Sequence, residues 1–219
     1  MNIPYRRAIV SCGLLSILGL FLFAVGVVAN GRFTHGYLFW NLILAWIPLG
    51  IALLIDHYTK NAWTPQNIAL GIVWLLFLPN TFYMLTDYVH VTEVARADPV
   101  FDSVMFSVVI SIGFALGIIS LLIVHKTLLH IVNDTRAKLI IGAVIAASSF
   151  AIYLGRELRF NSWDVVTNPF GLIVDVCQIF IQPHQNLDAY ITTLTFFIVT
   201  AAAYIASWYV VEEPHKKKS

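Results

Sequence analysis

Residues 68–91 read IALGIVWLLFLPNTFYMLTDYVHV, and how this stretch is divided decides the fold. Its apolar part, 68–78, is roughly 16 Å of helix at 1.5 Å per residue, too short for a hydrocarbon core of about 30 Å. The span must therefore continue through Pro79 into the polar part, LPNTFYMLTDYVH. Pro79 removes a backbone donor and crowds the carbonyl of Leu75, so one proline-kinked span is expected over 68–91. Its polar half then lies at membrane depth.

Outward from this stretch, five further segments reach spanning length: 8–29, 37–55, 103–125, 137–154 and 189–211. Residues 170–182 are apolar but short and carry Asp175 at the centre, which fits an interfacial or re-entrant helix. The expected fold class is all-α: a polytopic helical bundle of six transmembrane helices plus one short helix, forming a single domain over 1–219. With 59% hydrophobic and 11% charged residues and a mean hydropathy of +0.80, the chain falls far from soluble proteins, in which about 25% of residues are charged. A net charge of +1 implies no nucleic-acid partner, since such binding depends on neutralising phosphates. The two cysteines, Cys12 and Cys177, sit in apolar runs and read as packing residues. The sequence has no internal repeat or low-complexity tract.

Charge sets the orientation, because Lys and Arg near span ends collect on the cytoplasmic side. With six spans, one side holds Arg6, Arg7, Lys60, Lys126, Arg136, Lys138, Lys216, Lys217 and Lys218, whereas the other holds only Arg32, Arg96, Arg156 and Arg159. Both termini are expected in the cytoplasm, with the chain multi-pass in the cell membrane. A seven-span alternative would export the Lys216–Lys218 cluster and weaken the asymmetry. The apolar run after Arg6 and Arg7 exceeds a signal-peptide core and lacks an A-x-A site, so it is expected to remain as the first span.

Two polar stretches then open outward: 78–90, LPNTFYMLTDYVH, and 155–164, GRELRFNSWD. On an α-helix Asn80, Tyr83, Asp87 and His90 fall on one stripe, with Thr86 and Glu93 flanking it. Asp87 and His90 are spaced to share a hydrogen bond, giving a candidate general base, His90, with Asp87 as its orienter. In the second stretch Arg156 and Arg159 lie one helical turn apart and offer two forks to a carboxylate or phosphate. Glu157, Asn161, Ser162 and Asp164 crowd the same turn, and Asn161 or Ser162 is expected to cap the following short helix. Binding is therefore assigned to Arg156, Arg159, Asn80, Tyr83, Asn161 and Asp164. The blander reading is a polar seam gluing helices, with the arginines merely reaching for the interface.

On the helix over 170–182, Asp175, Gln178 and Gln182 make a polar stripe that could roof this site. Asp87, His90 and Asp164, with Glu157 or Asp102, would suit an oxygen-rich cation site, but no H-x-x-x-H, H-E-x-x-H or cysteine pair appears, so no metal is assigned and the cofactor stays unknown. His35 and His184 read as solvated loop residues, and Trp163 and Trp208 as interface anchors or core.

At these residues the chain resembles a family of bacterial multi-pass membrane proteins grouped only as a domain of unknown function. The shared patterns are LPN-x-x-Y-x-x-T-D, met at Leu78, Pro79, Asn80, Tyr83, Thr86 and Asp87, and GR-x-x-R-x-NSWD, met at Gly155, Arg156, Arg159, Asn161, Ser162, Trp163 and Asp164. Asp102 belongs to the resemblance as a further acidic position, and the order of spans is similar. What the resemblance implies is a fold type and a set of residues to test, without an activity.

Three functions compete. One is an enzyme of the outer membrane face acting on a lipid, lipid-linked or lipoprotein substrate. Another is a structural or partner-binding protein whose Asp87, Arg156, Arg159 and Asp164 form an interhelical salt-bridge network. The last is a transporter of small solutes or ions, favoured by the broken span but short of polar groups in the cytoplasmic halves, where Asn41 and Asp56 are the main candidates.

Overall fold

The computed structural model describes residues 3–30, 36–59, 64–92 and 99–216, with side chains described for 5–28, 36–59, 64–89 and 100–211. Those residues are helical with no strand among them, and six of the helices are long and apolar enough to cross a membrane. They comprise α1 (Ile3–Asn30), α2 (Gly36–Tyr58), a broken third span, α5 (Pro99–Leu128), α6 (Asp134–Arg156) and α9 (Leu187–Lys216). Between α6 and α9 lie the short helices α7 (Asp164–Thr167) and α8 (Pro169–Ile181).

The third span is built in three pieces: α3 (Pro65–Phe77), α4 (Pro79–Tyr83) and a 3-10 segment, Met84–Thr92. Thr64 starts it by accepting the Asn67 N–H at 3.2 Å, ahead of Pro65 at the first helical position. The break falls where the sequence placed it, and the side chains that follow repair it. The Thr81 N–H turns to the Leu78 carbonyl at 3.1 Å instead of reaching Phe77. The Phe77 carbonyl is taken by the Asn80 amide at 3.0 Å, and the Thr81 hydroxyl adds a second donor to Leu78 O at 2.7 Å. The difference from the sequence reading is the tightening beyond Tyr83: a 3-10 helix has three residues per turn, so the single α-helical stripe of Asn80, Tyr83, Asp87 and His90 does not run through it unbroken.

Helix α5 is the hub. Within its apolar span 72% of residues are buried, against 17% in α1 and 11% in α9, and both α2 and α1 pack along it. Gly113 and Gly117, spaced as G-x-x-x-G, let the broken span approach. A Cβ at Gly113 would strike Met84, and one at Gly117 would strike Thr81 and the Phe82 ring. Thr81, Phe82 and Met84 are accordingly buried, which directs the alternate face, bearing Asn80 and Tyr83, away from α5 toward α2 and α6. Trp74 ties the lower half to the hub, donating to Ser120 at 2.6 Å, while Ser120 donates to the Pro48 carbonyl of α2 at 3.2 Å.

Helix α8 packs near the end of α6 and the start of α9, with Ile179 buried among Tyr153 and Ala189 and Phe180 against Phe150. Its N-cap is Asn168, whose side chain accepts the Gly171 N–H at 3.2 Å.

Candidate functional site

The two polar stretches meet. A cavity of about 450 Å³ opens between α2, the α3–α4 break and the end of α6, walled on one side by Asn80, Tyr83 and Asp87 and on the other by Gly155, Asn161, Ser162 and Trp163. The direct link is the Asn80 amide donating to the Ser162 hydroxyl at 3.1 Å, across 82 residues of sequence. Asn80 thus spends one amide proton on the proline break and the other on the second stretch, so the kink and the cavity wall are one piece of chemistry.

Asp87 is only 3% exposed and faces this cavity. Among its contacts, Asp87 Oδ2 accepts from the Asn41 amide of α2 at 3.0 Å. Asn41 was expected in the cytoplasmic half, and this is corrected: near the start of α2, it lines the same cavity as Asp87. The alternation of spans held the signal, since α2 begins on the side where the third span ends. The His90 side chain lies outside the described residues, as do Glu93 and Arg96, so the proposed Asp87–His90 pair is not placed.

The second stretch is organised by Asp164. Its carboxylate accepts the Asn161 N–H at 2.6 Å and the Thr167 hydroxyl at 3.0 Å, and the Asp164 N–H returns to the Asn161 carbonyl at 2.9 Å. The backbone hydrogen bond from Asn161, and then the one from Thr167, hold this carboxyl below the usual carboxylate range. The capping expectation is corrected accordingly. Neither Asn161 nor Ser162 caps the next helix: Trp163 occupies that position in α7 without a side-chain bond, Asn168 caps α8, and Ser162 is left to face Asn80.

Arg156 and Arg159 are not one helical turn apart, because α6 ends at Arg156 and the chain reverses, with the Phe160 N–H closing on Leu154 O at 3.1 Å. Arg159 takes φ 58°, a left-handed conformation that costs a side-chain-bearing residue about 1 kcal/mol or more. Both arginines are exposed beyond the cavity wall, and Arg156 Nε meets Glu157 at 3.2 Å. They flank the opening; they do not converge inside it. Helix α8 contributes Leu172 to the wall, while Asp175 and Gln178 stay outside it.

One residue absent from the sequence reading joins the site. Ser148, 1% exposed on α6, lines the cavity with its hydroxyl unpartnered among the described residues, whereas neighbouring Ser149 bonds back to Ile145 O at 2.8 Å. Its signal was a hydroxyl two turns below Gly155 on the same helix. Among the described residues, no three His, Cys, Asp or Glu side chains gather closely enough to hold a metal ion, and Asp164 is engaged in its own turn.

A family model described as "Protein of unknown function (DUF1361)" matches residues 40–202, and so both halves of the cavity. The match covers most of the chain, which therefore belongs to that family. No curated protein and no solved structure matches.

Proposed function

We propose, from the premise that this is a multi-pass DUF1361 membrane protein, that it is an enzyme acting on a lipid, lipid-linked or lipoprotein substrate whose polar group enters the 450 Å³ cavity. The orientation is the one that the positive charges favour, with both termini cytoplasmic in a bacterial cell membrane and the cavity at the extracytoplasmic face. The observation that carries the reading is the convergence of both polar stretches on one cavity containing a buried carboxylate.

A buried carboxylate favours a site over a seam. An interhelical hydrogen bond in a membrane averages about 0.6 kcal/mol, so the Asn80–Ser162 and Asn41–Asp87 bonds together contribute roughly 1 kcal/mol. Asp87 lies toward the end of its span, where an aspartate costs less than at the helix centre, but it is withdrawn from solvent to 3% exposure. Glue alone would be cheaper with amides and hydroxyls. In this reading Asp87, held by Asn41, is also the group that orients the His90 imidazole as general base. In this mechanism Arg156 and Arg159 draw the anionic headgroup to the opening. Tyr83 and Asn161 hold it, while Asn80 braces the wall through Ser162 and Asp164 fixes the turn that presents that serine.

The test is the lipid and lipoprotein profile of a deletion strain complemented with His90→Ala or Asp87→Asn. A deletion phenotype that neither variant rescues, although both reach wild-type levels in the membrane, supports the enzyme. Full rescue by both overturns it.

A second reading, a structural role, is favoured by the same two side-chain bonds, since each joins different segments; it is a hydrogen-bonded seam and not the expected salt-bridge network, because Arg156 pairs with Glu157 and Asp164 bonds within its own turn. It expects Asp87→Asn to lower the melting temperature with function failing only in proportion.

A further inference from the structure

At the other end of the bundle, a second cavity of about 880 Å³ lies between α5, α6 and α9. Its walls are mostly apolar, including Ile141, Ile145 and Phe197, but one end is built differently. There His125, 0% exposed, stacks on Trp208 with ring centroids 4.0 Å apart and shares a hydrogen bond through Nδ1 with the Tyr204 hydroxyl. Its Nε2 is buried and has no partner among the described residues. Taking the Tyr204 O–H as donor to Nδ1 puts the ring proton on Nε2, making it a buried donor at the cavity wall that wants an acceptor.

Position suggests the acceptor. Helix α5 is about 45 Å long against a hydrocarbon core of about 30 Å, so His125, three residues before its end, falls toward the boundary region where a lipid carries its ester and phosphate oxygens. From Asp134 to Ile145 the lining runs roughly 16 Å along α6, deep enough for part of an acyl chain. At the mouth stands Lys138, which lines the cavity and is positioned by Asp134 at 2.6 Å.

We propose that this cavity is a resident lipid site for an anionic phospholipid, with one acyl chain along Ile145 and Phe197, a headgroup or ester oxygen on His125 Nε2, and the phosphate near Lys138. The site is independent of the Asp87 cavity and of the reaction assigned there.

The experiment equilibrates the purified full-length protein with mixed vesicles of phosphatidylglycerol and phosphatidylcholine, then measures lipid retained after detergent washing by mass spectrometry. The wild type should keep phosphatidylglycerol, and His125→Phe, which preserves the ring stack but removes the donor, should reduce retention roughly tenfold. Gly142 supplies a variant that leaves His125 untouched: it lines the cavity, and a Cβ there meets open space, so Gly142→Leu fills the groove without a clash at that atom. It should also lose the lipid while keeping or raising the melting temperature. Equal retention of phosphatidylcholine, or undiminished phosphatidylglycerol in Gly142→Leu, overturns the site; if His125→Phe fails to fold, Gly142→Leu decides.

Discussion

Arg159 is the residue at which backbone and side chain are in conflict. Its left-handed φ of 58° suits glycine, yet an arginine occupies it beside the cavity opening. Arg159→Gly should therefore leave stability unchanged or raise it by about 1 kcal/mol, because the strain disappears. If the guanidinium draws in an anionic group, the same variant should fail in complementation, so thermal melts and rescue should part company. Asp164 gives a prediction in pH. Its carboxyl is held low by the Asn161 N–H and the Thr167 hydroxyl, so the stabilisation is fully present above the ordinary carboxylate pKa of about 3.9 and is lost as pH falls through the lower folded value. Protection factors over 158–168, corrected for the intrinsic pH dependence of amide exchange, should be unchanged at pH 5 and fall only in stronger acid. In Asp164→Ala, protection there should be low throughout.

At the scale of elements, the two glycines of α5 decide how near the broken span can lie. Gly117→Ala places a methyl against Thr81 and Phe82 and should cost about 1–3 kcal/mol by overpacking, read as a lower melting temperature, whereas Gly71→Ala on α3 meets open space and should be neutral. How much was legible follows the same physics. The spans were, because membrane crossing requires long apolar runs that local composition displays. The break at Pro79 was, because a missing donor is a local fact. The 3-10 tightening over Met84–Thr92 was not, since it answers to packing on α5 that the segment does not itself encode. The same limit explains the candidate site. Asn80, Tyr83 and Asp87 stood out by their cost in a bilayer, but Asn41 and Ser148 become site residues only when α2 and α6 close around them. The paired arginine forks assumed a helix through Arg159, and α6 ends three residues earlier.

For the whole molecule, if the six candidate helices all cross in the proposed orientation, the loop at Asn133 and the loop at Gln185 lie on opposite faces, with α6 between them. In a background with the exposed Cys177 replaced by serine, a cysteine at Gln185 should react with an impermeant maleimide added outside intact cells. One at Asn133 should react only after lysis.

The central place of α5 also has a consequence for how the protein is made. α1 and α2 leave the ribosome well before α5, the helix against which α1 rests and with which α2 forms its broadest contact. Early in synthesis the nascent chain must therefore hold α1 without its main partner, and α2 with only the fractured third span to pack on. A chain stopped before Pro99 should be cleared by membrane proteases, and one stopped after Leu128 should persist longer, with the pairing of α6 and α9 left as the last act of assembly.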